Sequence, residues 1–168
     1  QNEVNTVFSN ITEQDANELV RNAVNLGVNV FDTSDSYSSG ESEIRLGNAV
    51  EDFREDVHIF TKGGTEYLNQ QKTKSKTNLS FDYLTESLDV SLNRMKTDYV
   101  DLFQTHGIPE NNDMDQIAKT FDKMKSENKA RFCGVSIGNA ISRGLEVIEY
   151  DFIDCIQLSF SMINKDAL

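Results

Sequence analysis

Residues 27–37 read GVNVFDTSDSY, and this stretch decides the fold. Gly27 ends an amphipathic helical pattern, a short apolar run follows, and Asp32 closes the run before a loop rich in Ser and Gly. An apolar run bounded in this way is typical of a buried β-strand, predicted here at 28–32. Side chains at the carboxyl ends of parallel strands converge on ligands, so Asp32 and Tyr37 are the first candidates for a functional site.

Two more predicted strands lead into a side chain that can take part in chemistry. The strand predicted at 57–61 is followed by Lys62, and the strand predicted at 98–105 is followed by His106. In a parallel sheet these ends meet at one edge, which would bring together an acid, a phenol, an ammonium group and an imidazole. Such a set predicts a site for proton transfer.

The rest of the chain alternates between helical and strand patterns. Thr12 and Asp15 predict a capping box at the start of the first helix, and Ser80 is the predicted cap of the third. The predicted helices cover 12–27, 41–53, 80–95, 113–127 and 141–149, and the remaining predicted strands are 131–137 and 152–160. The stretch 63–78 is polar and carries no predicted element. This alternation predicts a parallel sheet with right-handed crossovers.

Alternation alone does not separate an open, doubly wound sheet from a (β/α)8 barrel. Two features favour the barrel: no G-x-G-x-x-G fingerprint follows any strand, and the candidate polar groups end several successive strands. We therefore predict an α/β fold, a (β/α)8 TIM barrel that is incomplete in this chain. Such a barrel needs about 250 residues, whereas the chain has 168. We expect a single domain over residues 1–168 that lacks the first strand and strands seven and eight.

Composition narrows the range of partners and cofactors. The formal net charge of −12 argues against nucleic acid and anionic membrane surfaces. No apolar run is long enough to span a bilayer, and the spacing of His, Cys, Asp and Glu predicts no metal site. Cys133 and Cys155 are expected to be buried, free thiols in a reducing, cytoplasmic setting. His58 is expected to be a packing residue within its strand, and the sequence carries no signal for an oligomeric state.

Several motifs, in colinear order along the whole chain, resemble those of the aldo-keto reductase family. They are residues 27–37 with Gly40-Glu41-Ser42-Glu43 and Leu46-Gly47, then Phe60-Thr61-Lys62, residues 91–102 with Gln104-Thr105-His106, Gly134-Val135-Ser136 and Ile156-Gln157-Leu158. The resemblance implies an NAD(P)H-dependent oxidoreductase that reduces aldehyde, ketone or sugar carbonyls to alcohols. The chain would supply strands two to six of the family's barrel.

The resemblance gives a role to each of the four candidate residues. Tyr37 would donate a proton to the carbonyl oxygen, although a free phenol with a pKa of about 10 is a weak acid. Lys62 would favour the phenolate and so lower that pKa, while Asp32 would hold the ammonium group in place. His106 would hydrogen-bond the carbonyl oxygen and orient the substrate. Each residue alone also has a structural interpretation, as an ion pair, a surface aromatic or a polar strand end.

The resemblance further implies NADP(H) as the cofactor, with NAD(H) as the alternative. In this family, polar side chains after strands five and six hold the nicotinamide carboxamide, and Ser136 and Gln157 stand at those positions. Ile137 replaces the asparagine that the family carries beside the serine, so Asn139 is the candidate for that contact. Phe160 stands where related members often carry a tyrosine.

Two other interpretations stay open. The chain could be a catalytically silent cofactor-binding or regulatory subunit of the same family, or an inactive fragment. The presence of all four candidate residues is compatible with each of these. For the enzyme, the expected partner is a small carbonyl or alcohol substrate.

Overall fold

The computed structural model describes residues 11–162, except for the side chain of Asn112. In chain order the elements are α1 (Glu13–Asn25), β1 (Val30–Asp32), α2 (Glu41–Val50), β2 (His58–Gly63), β3 (Thr65–Tyr67), β4 (Ser75–Thr77), α3 (Phe81–Met95), β5 (Val100–Thr105), α4 (Met114–Ser126), β6 (Ala130–Gly138), α5 (Ile141–Val147) and β7 (Cys155–Leu158). Short 3₁₀ turns cover Tyr37–Gly40, Glu51–Asp56 and Asn111–Asp113.

Five of the strands form one parallel sheet in the order β1-β2-β5-β6-β7. Each new strand adds at the same edge, without the reversal of direction that marks a doubly wound sheet. The sheet is strongly curved. The curvature is seen in a hydrogen bond between its two outer strands, from Gln157 of β7 to Asp32 of β1 at 3.2 Å. In a flat sheet these outer strands would be roughly 19 Å apart. The curvature and the strand order confirm the predicted α/β fold, with five parallel strands of a (β/α)8 barrel.

The helices cover the convex face of the sheet and bury the main core with it. Ile59 of β2 and Phe103 of β5 are fully buried in one cluster with side chains of α3 and α4. The apolar stripes of both helices are buried, namely Leu84, Leu88, Leu92 and Met95 in α3 and Met114, Ile117, Phe121 and Met124 in α4. Helix α1 differs, since none of its residues is fully buried and Leu19 is 65% exposed.

The concave face of the sheet carries the candidate site. On β2, Ile59 belongs to the core and the hydroxyl of Thr61 donates to Glu43 of α2 at 2.7 Å, so both side chains face the helices. Because side chains alternate along a strand, Lys62 points to the concave face, where it meets Asp32.

At the amino ends of the strands, Asp101 of β5 joins two cations. Its carboxylate is almost fully buried and accepts hydrogen bonds from Arg54 at 3.0 Å and from Arg131 at 2.9 Å. The ring of Tyr99 packs on both guanidinium groups, with centroid distances of 4.3 and 4.4 Å. This cluster ties β5 to β6 and to the turn before β2, and it lies at the opposite end of the sheet from the candidate site.

Some local predictions differ from the structure. The polar stretch 63–78 contains the antiparallel β3–β4 hairpin, which backbone pairing stabilises without an apolar pattern. Ser80 occupies the N-cap position of α3, but its hydroxyl makes no capping hydrogen bond, whereas the capping box at Thr12 is confirmed. His58 is the first residue of β2, and its half-exposed side chain lies 3.2 Å from the Asp101 carboxylate, so it is not a packing residue. The outer strands β1 and β7 are shorter than predicted.

Residues 11–162 include no helix that is both long and apolar enough to cross a bilayer. In the same part of the chain, no group of three or more His, Cys, Asp or Glu side chains is arranged to hold a metal ion. Both cysteines are free thiols, but only Cys133 is buried, whereas Cys155 is partly exposed, contrary to expectation. Burial raises the pKa of Cys133 to about 12. A thiol with so high a pKa stays protonated and unreactive, which agrees with the expected packing role.

We expect the substitution Gly47→Ala to destabilise the protein, although alanine is the better helix former by about 1 kcal/mol. A Cβ at Gly47 of α2 would lie 2.5 Å from the backbone of Met95, so α2 and α3 would have to move apart. The expected net loss in free energy of unfolding is about 1–3 kcal/mol, measured by urea denaturation. The control is Gly144→Ala in α5, whose Cβ would approach side-chain atoms instead of backbone, the nearest being the terminal Cδ1 of Ile137 at 2.3 Å, which a rotation about one bond can move. Equal stability of the two variants would contradict the expected clash between α2 and α3.

Candidate active site

The four candidate residues lie together at the carboxyl ends of three neighbouring strands. Asp32 ends β1, Lys62 lies near the end of β2, His106 follows β5, and Tyr37 begins the 3₁₀ turn after β1. The backbone pairing of β2 with β5 continues one step beyond the strand, since the His106 amide donates to the Gly63 carbonyl at 2.7 Å. This extra hydrogen bond holds His106 beside the end of β2.

Lys62 and Asp32 form a close ion pair. The ammonium group donates to Asp32 Oδ2 at 2.6 Å and to the Thr33 carbonyl at 2.9 Å. The Lys62 side chain is 2% exposed, while that of Asp32 is 34% exposed. A buried ammonium group is costly unless it is paired and hydrogen-bonded, so Asp32 is the counter-ion that makes this burial possible.

Tyr37 meets Lys62 through its aromatic ring. The ammonium nitrogen of Lys62 lies 5.2 Å from the ring centroid, within the range of a cation–π contact. The hydrogen bonds that this nitrogen donates go to Asp32 and to the Thr33 carbonyl. The ring also packs edge-on against His106, with centroids 6.0 Å apart. Tyr37 is 41% exposed, so a ligand can reach its phenol from the space at the carboxyl ends of β1, β2 and β5, called the cleft below.

His106 is held in its neutral form. Burial lowers its pKa, the positive charge of Lys62 lowers it further, and the carboxylate of Asp32 opposes the shift. The pKa of His106 therefore lies below its ordinary value of about 6.5. At neutral pH the imidazole is uncharged, with one nitrogen as a donor and the other as an acceptor.

Sequence reasoning missed two residues that contact His106. The hydroxyls of Ser34 and Ser36 lie 3.0 and 3.3 Å from its Nδ1 atom. Their place in the turn between Asp32 and Tyr37 was the available signal, since that turn follows a strand end at the candidate site. The composition of this loop hid that signal, because serine is common in loops for turn chemistry alone.

The β3–β4 hairpin, also missed, holds the loop that carries Tyr37. The Tyr67 hydroxyl donates to the Ser36 carbonyl at 3.2 Å, and Lys72 donates to the Ser39 carbonyl at 3.0 Å. These contacts come from the polar stretch that follows β2. The hairpin therefore belongs to the wall of the candidate site.

The loop itself is strained. Ser38 and Ser39 have φ angles of 48° and 60°, and Gly40 follows with a φ of 100°. A residue with a Cβ pays about 1–2 kcal/mol in this region. Such strain concentrates at functional sites and persists where the surroundings hold it, which the hairpin contacts do here.

The structure brings one of the four cofactor candidates, Gln157, next to Asp32, and a second, Ser136, next to Gln157 in the sheet. Ser136 and Gln157 are register partners on β6 and β7, and Gln157 donates to Asp32. The Oε1 atom of Gln157 is buried and has no hydrogen-bond partner among the described residues. An acceptor in that position fits the N–H of a nicotinamide carboxamide. Asn139 lies in the loop after β6, and Phe160 lies after β7 and is 57% exposed.

Comparison with known proteins gives a consistent result. The family model described as the aldo/keto reductase family matches residues 3–167. The uncharacterized oxidoreductase YqkF of Bacillus subtilis is 31% identical over 149 residues, which cover 88% of this chain and 47% of that protein. L-galactose dehydrogenase of Arabidopsis thaliana is 36% identical over 138 residues, which cover 78% of this chain and 41% of that protein. The chain thus spans about half the length of the curated relatives it matches.

A solved structure supports the same relationship. The holo form of aldo-keto reductase AKR11C1 from Bacillus halodurans superposes with a TM-score of 0.80 at 31% identity. The match covers 90% of this chain and 50% of that one. The similarity therefore extends over nearly all of the sheet and the helices described above.

We expect Asp32→Asn to lower the free energy of unfolding by about 2 kcal/mol, because it leaves the Lys62 ammonium group buried without a counter-ion. The loss stays below that of a fully buried pair since Asp32 is one-third exposed. The control is Asp52→Asn, which breaks the exposed pair of Arg21 and Asp52 and should cost less than about 0.5 kcal/mol. Similar losses in both variants, measured by urea denaturation, would show that the buried pair stabilises the protein no more than the exposed pair.

A second prediction concerns pH. Because the pKa of His106 is lowered in the folded state, the unfolded chain binds the proton more readily. The stability from neutral His106 is complete above pH of about 6.5 and is lost as the pH falls through the lower, folded pKa. Unfolding free energies measured between pH 8 and 5 should fall less in His106→Gln than in the wild type. Parallel pH profiles for the two proteins would contradict this.

Proposed function

Because the chain belongs to the aldo/keto reductase family, we propose that it carries the catalytic residues of an NAD(P)H-dependent oxidoreductase. The reaction is the reduction of aldehyde, ketone or sugar carbonyls to alcohols, and it is reversible. The observation that supports the proposal most strongly is the convergence of Asp32, Tyr37, Lys62 and His106 on one cleft.

Carbonyl reduction requires a hydride at carbon and a proton at oxygen. The nicotinamide cofactor supplies the hydride when it is bound. Tyr37 donates the proton, because its phenol is accessible and lies next to the only buried ammonium group among the described residues. As the proton leaves, negative charge develops on the phenol oxygen and the nearby charge of Lys62 stabilises it. Asp32 keeps that ammonium group in place.

His106 orients the substrate. Its ring lies edge-on to Tyr37, so a carbonyl oxygen held by the imidazole also lies near the phenol. The lowered pKa keeps the ring neutral at physiological pH, and a neutral ring holds the oxygen through an N–H group without adding a second positive charge beside Lys62. This hydrogen bond reduces the freedom of the substrate before the proton moves.

For the cofactor we propose NADP(H), with NAD(H) as the alternative, and the nicotinamide end held by Ser136, Asn139, Gln157 and Phe160. The unpartnered Oε1 of Gln157 supports this assignment for the carboxamide. The hydrogen bond from Gln157 to Asp32 supports it as well, because it keeps the amide next to the ion pair. A location in a reducing, cytoplasmic setting stays a prediction.

We expect Tyr37→Phe to lower kcat by at least about 100-fold, the usual size of a lost general acid. Binding of NADPH should stay within about twofold, since the phenol oxygen makes no part of the proposed carboxamide contacts. The measurements are cofactor oxidation with a panel of simple aldehydes and cofactor binding by fluorescence. The matched control is Tyr99→Phe, the same change at the opposite end of the sheet, which should keep wild-type turnover.

Two outcomes would overturn the proposal. Preserved turnover in Tyr37→Phe would remove the phenol from the mechanism. A wild-type chain that binds NADPH but oxidises none of it with any aldehyde would support the cofactor-binding or regulatory alternative.

A further inference from the structure

Arg94 of α3 contacts both ends of the turn that carries Tyr37. Its Nη1 atom donates a long hydrogen bond, of 3.4 Å, to the Asp35 carbonyl at the start of the turn. At the end of the turn, a Cβ added to Gly40 would lie 2.6 to 2.9 Å from three guanidinium atoms, with the central carbon nearest. The face of the guanidinium group therefore packs on the Gly40 backbone. One side chain thus contacts the first and last residues of the segment 35–40, and Tyr37 lies between them.

A buried carboxylate fixes the same guanidinium group from the side of the core. Nη1 donates to Glu43 Oε2 at 2.9 Å, and the Glu43 side chain is fully buried. The other oxygen of Glu43 accepts from the hydroxyl of Thr61 at 2.7 Å, and Thr61 precedes Lys62 on β2. Within residues 11–162, Arg94 is the only cation that forms an ion pair with Glu43. The place of the guanidinium group is therefore set by α2 and β2.

The helix directs this side chain toward the candidate site. Arg94 lies in the last turn of α3, and the side chains of a helix tilt toward its N-terminus. Since α3 leads back toward the amino end of β5, that tilt points to the carboxyl ends of the strands. A residue near the far end of the helix thus reaches the turn after β1.

The turn depends on such contacts. Ser38 and Ser39 have positive φ angles, which residues with a Cβ keep only where the surroundings hold them. The β3–β4 hairpin binds the carbonyls of Ser36 and Ser39 from outside. Arg94, whose side chain is 26% exposed, holds the ends of the turn from inside. If the turn relaxed, Tyr37 would move relative to its neighbours in the cleft.

We propose that Arg94 is a positioning residue for Tyr37, because it clamps the two ends of the 35–40 turn and so holds the phenol in the cleft. The catalytic part of this inference rests on the proposed function, in which that phenol donates the proton. The guanidinium group suits the task, since its plane covers Gly40 while an N–H at its edge donates to Asp35 and Glu43.

The alternative is that Arg94 only neutralises Glu43. Arg94→Met leaves Glu43 as a buried anion without a counter-ion, so this variant should unfold at a lower urea concentration. Adding Glu43→Gln removes the charge and keeps an acceptor for the Thr61 hydroxyl, so the double variant should recover a large part of that stability. The clamp is absent from both variants. Activity should therefore return with stability only if the alternative is correct.

We expect kcat of Arg94→Met/Glu43→Gln to lie about tenfold to 100-fold below that of the wild type, since a misplacement of about 1 Å can cost about 100-fold. Binding of NADPH should stay within about twofold, because the proposed carboxamide contacts come from β6, β7 and the loops that follow them. The matched control is Arg54→Met with Asp101→Asn, the same double change at the amino ends of the strands. It should keep the wild-type kcat.

Amide hydrogen exchange in the full chain tests the clamp without any turnover. The amides of Tyr37 and Ser39 donate within the turn, to the carbonyls of Ser34 and Ser36 at 3.2 and 3.0 Å. Their exchange reports how often the turn opens. We expect exchange about fivefold to tenfold faster in Arg94→Met/Glu43→Gln, the effect of about one lost hydrogen bond, and no change in the control.

Two results in the double variant would overturn the inference. The first is a return of both kcat and amide exchange to wild-type values together with stability. The second is faster exchange with an unchanged kcat, because the position of the turn would then not matter for the proton donor. If the wild type has no turnover but its turn still opens more often without Arg94, the proposed function fails and the clamp stands.

A second variant keeps the test decisive if the double variant does not fold. Arg94→Lys keeps a positive charge beside Glu43 but lacks the planar group that covers Gly40. We expect faster exchange of the Tyr37 and Ser39 amides in this variant than in Arg54→Lys. Equal exchange rates in the two lysine variants would contradict the clamp.

Discussion

The ion pair between Lys62 and Asp32 is the interaction on which the candidate site depends. It places a nearly inaccessible ammonium group on the concave face, and the second oxygen of the same carboxylate accepts from Gln157. One carboxylate thus joins β1, β2 and β7, the two outer strands of the sheet and a neighbour.

The loop after β1 is organised around this pair in two layers. Tyr37 lies against the ammonium group and the imidazole, while Ser34 and Ser36 lie behind the imidazole. The strained backbone at Ser38 and Ser39 turns the chain sharply into α2, and the β3–β4 hairpin supports that turn from outside. The loop is therefore held from both sides, as a preorganised site requires.

Much of this arrangement could be predicted from residues at strand ends. Asp32, Lys62 and His106 follow apolar runs, and a parallel sheet necessarily brings such ends to one edge. The hairpin could not be predicted, because its strands carry no alternating apolar pattern and gain their stability from pairing and from contacts with the Tyr37 loop. The exposure of Leu19 could not be predicted either, because periodicity identifies an apolar helix face but not what packs against it. The contacts of Ser34 and Ser36 with His106 could not be predicted, because they depend on where the fold places His106.

The charge cluster around Asp101 has a consequence for how this protein can change over evolution. Arg54, Arg131 and Asp101 hold the amino ends of the strands, far from the cleft. Variation in the loops at the carboxyl ends can therefore alter what the cleft accepts while the frame beneath it stays intact. Mutations that strengthen the frame can in turn accumulate without reaching the chemistry. Selection can therefore act separately on the two ends of one sheet, on stability at the amino ends and on specificity at the carboxyl ends.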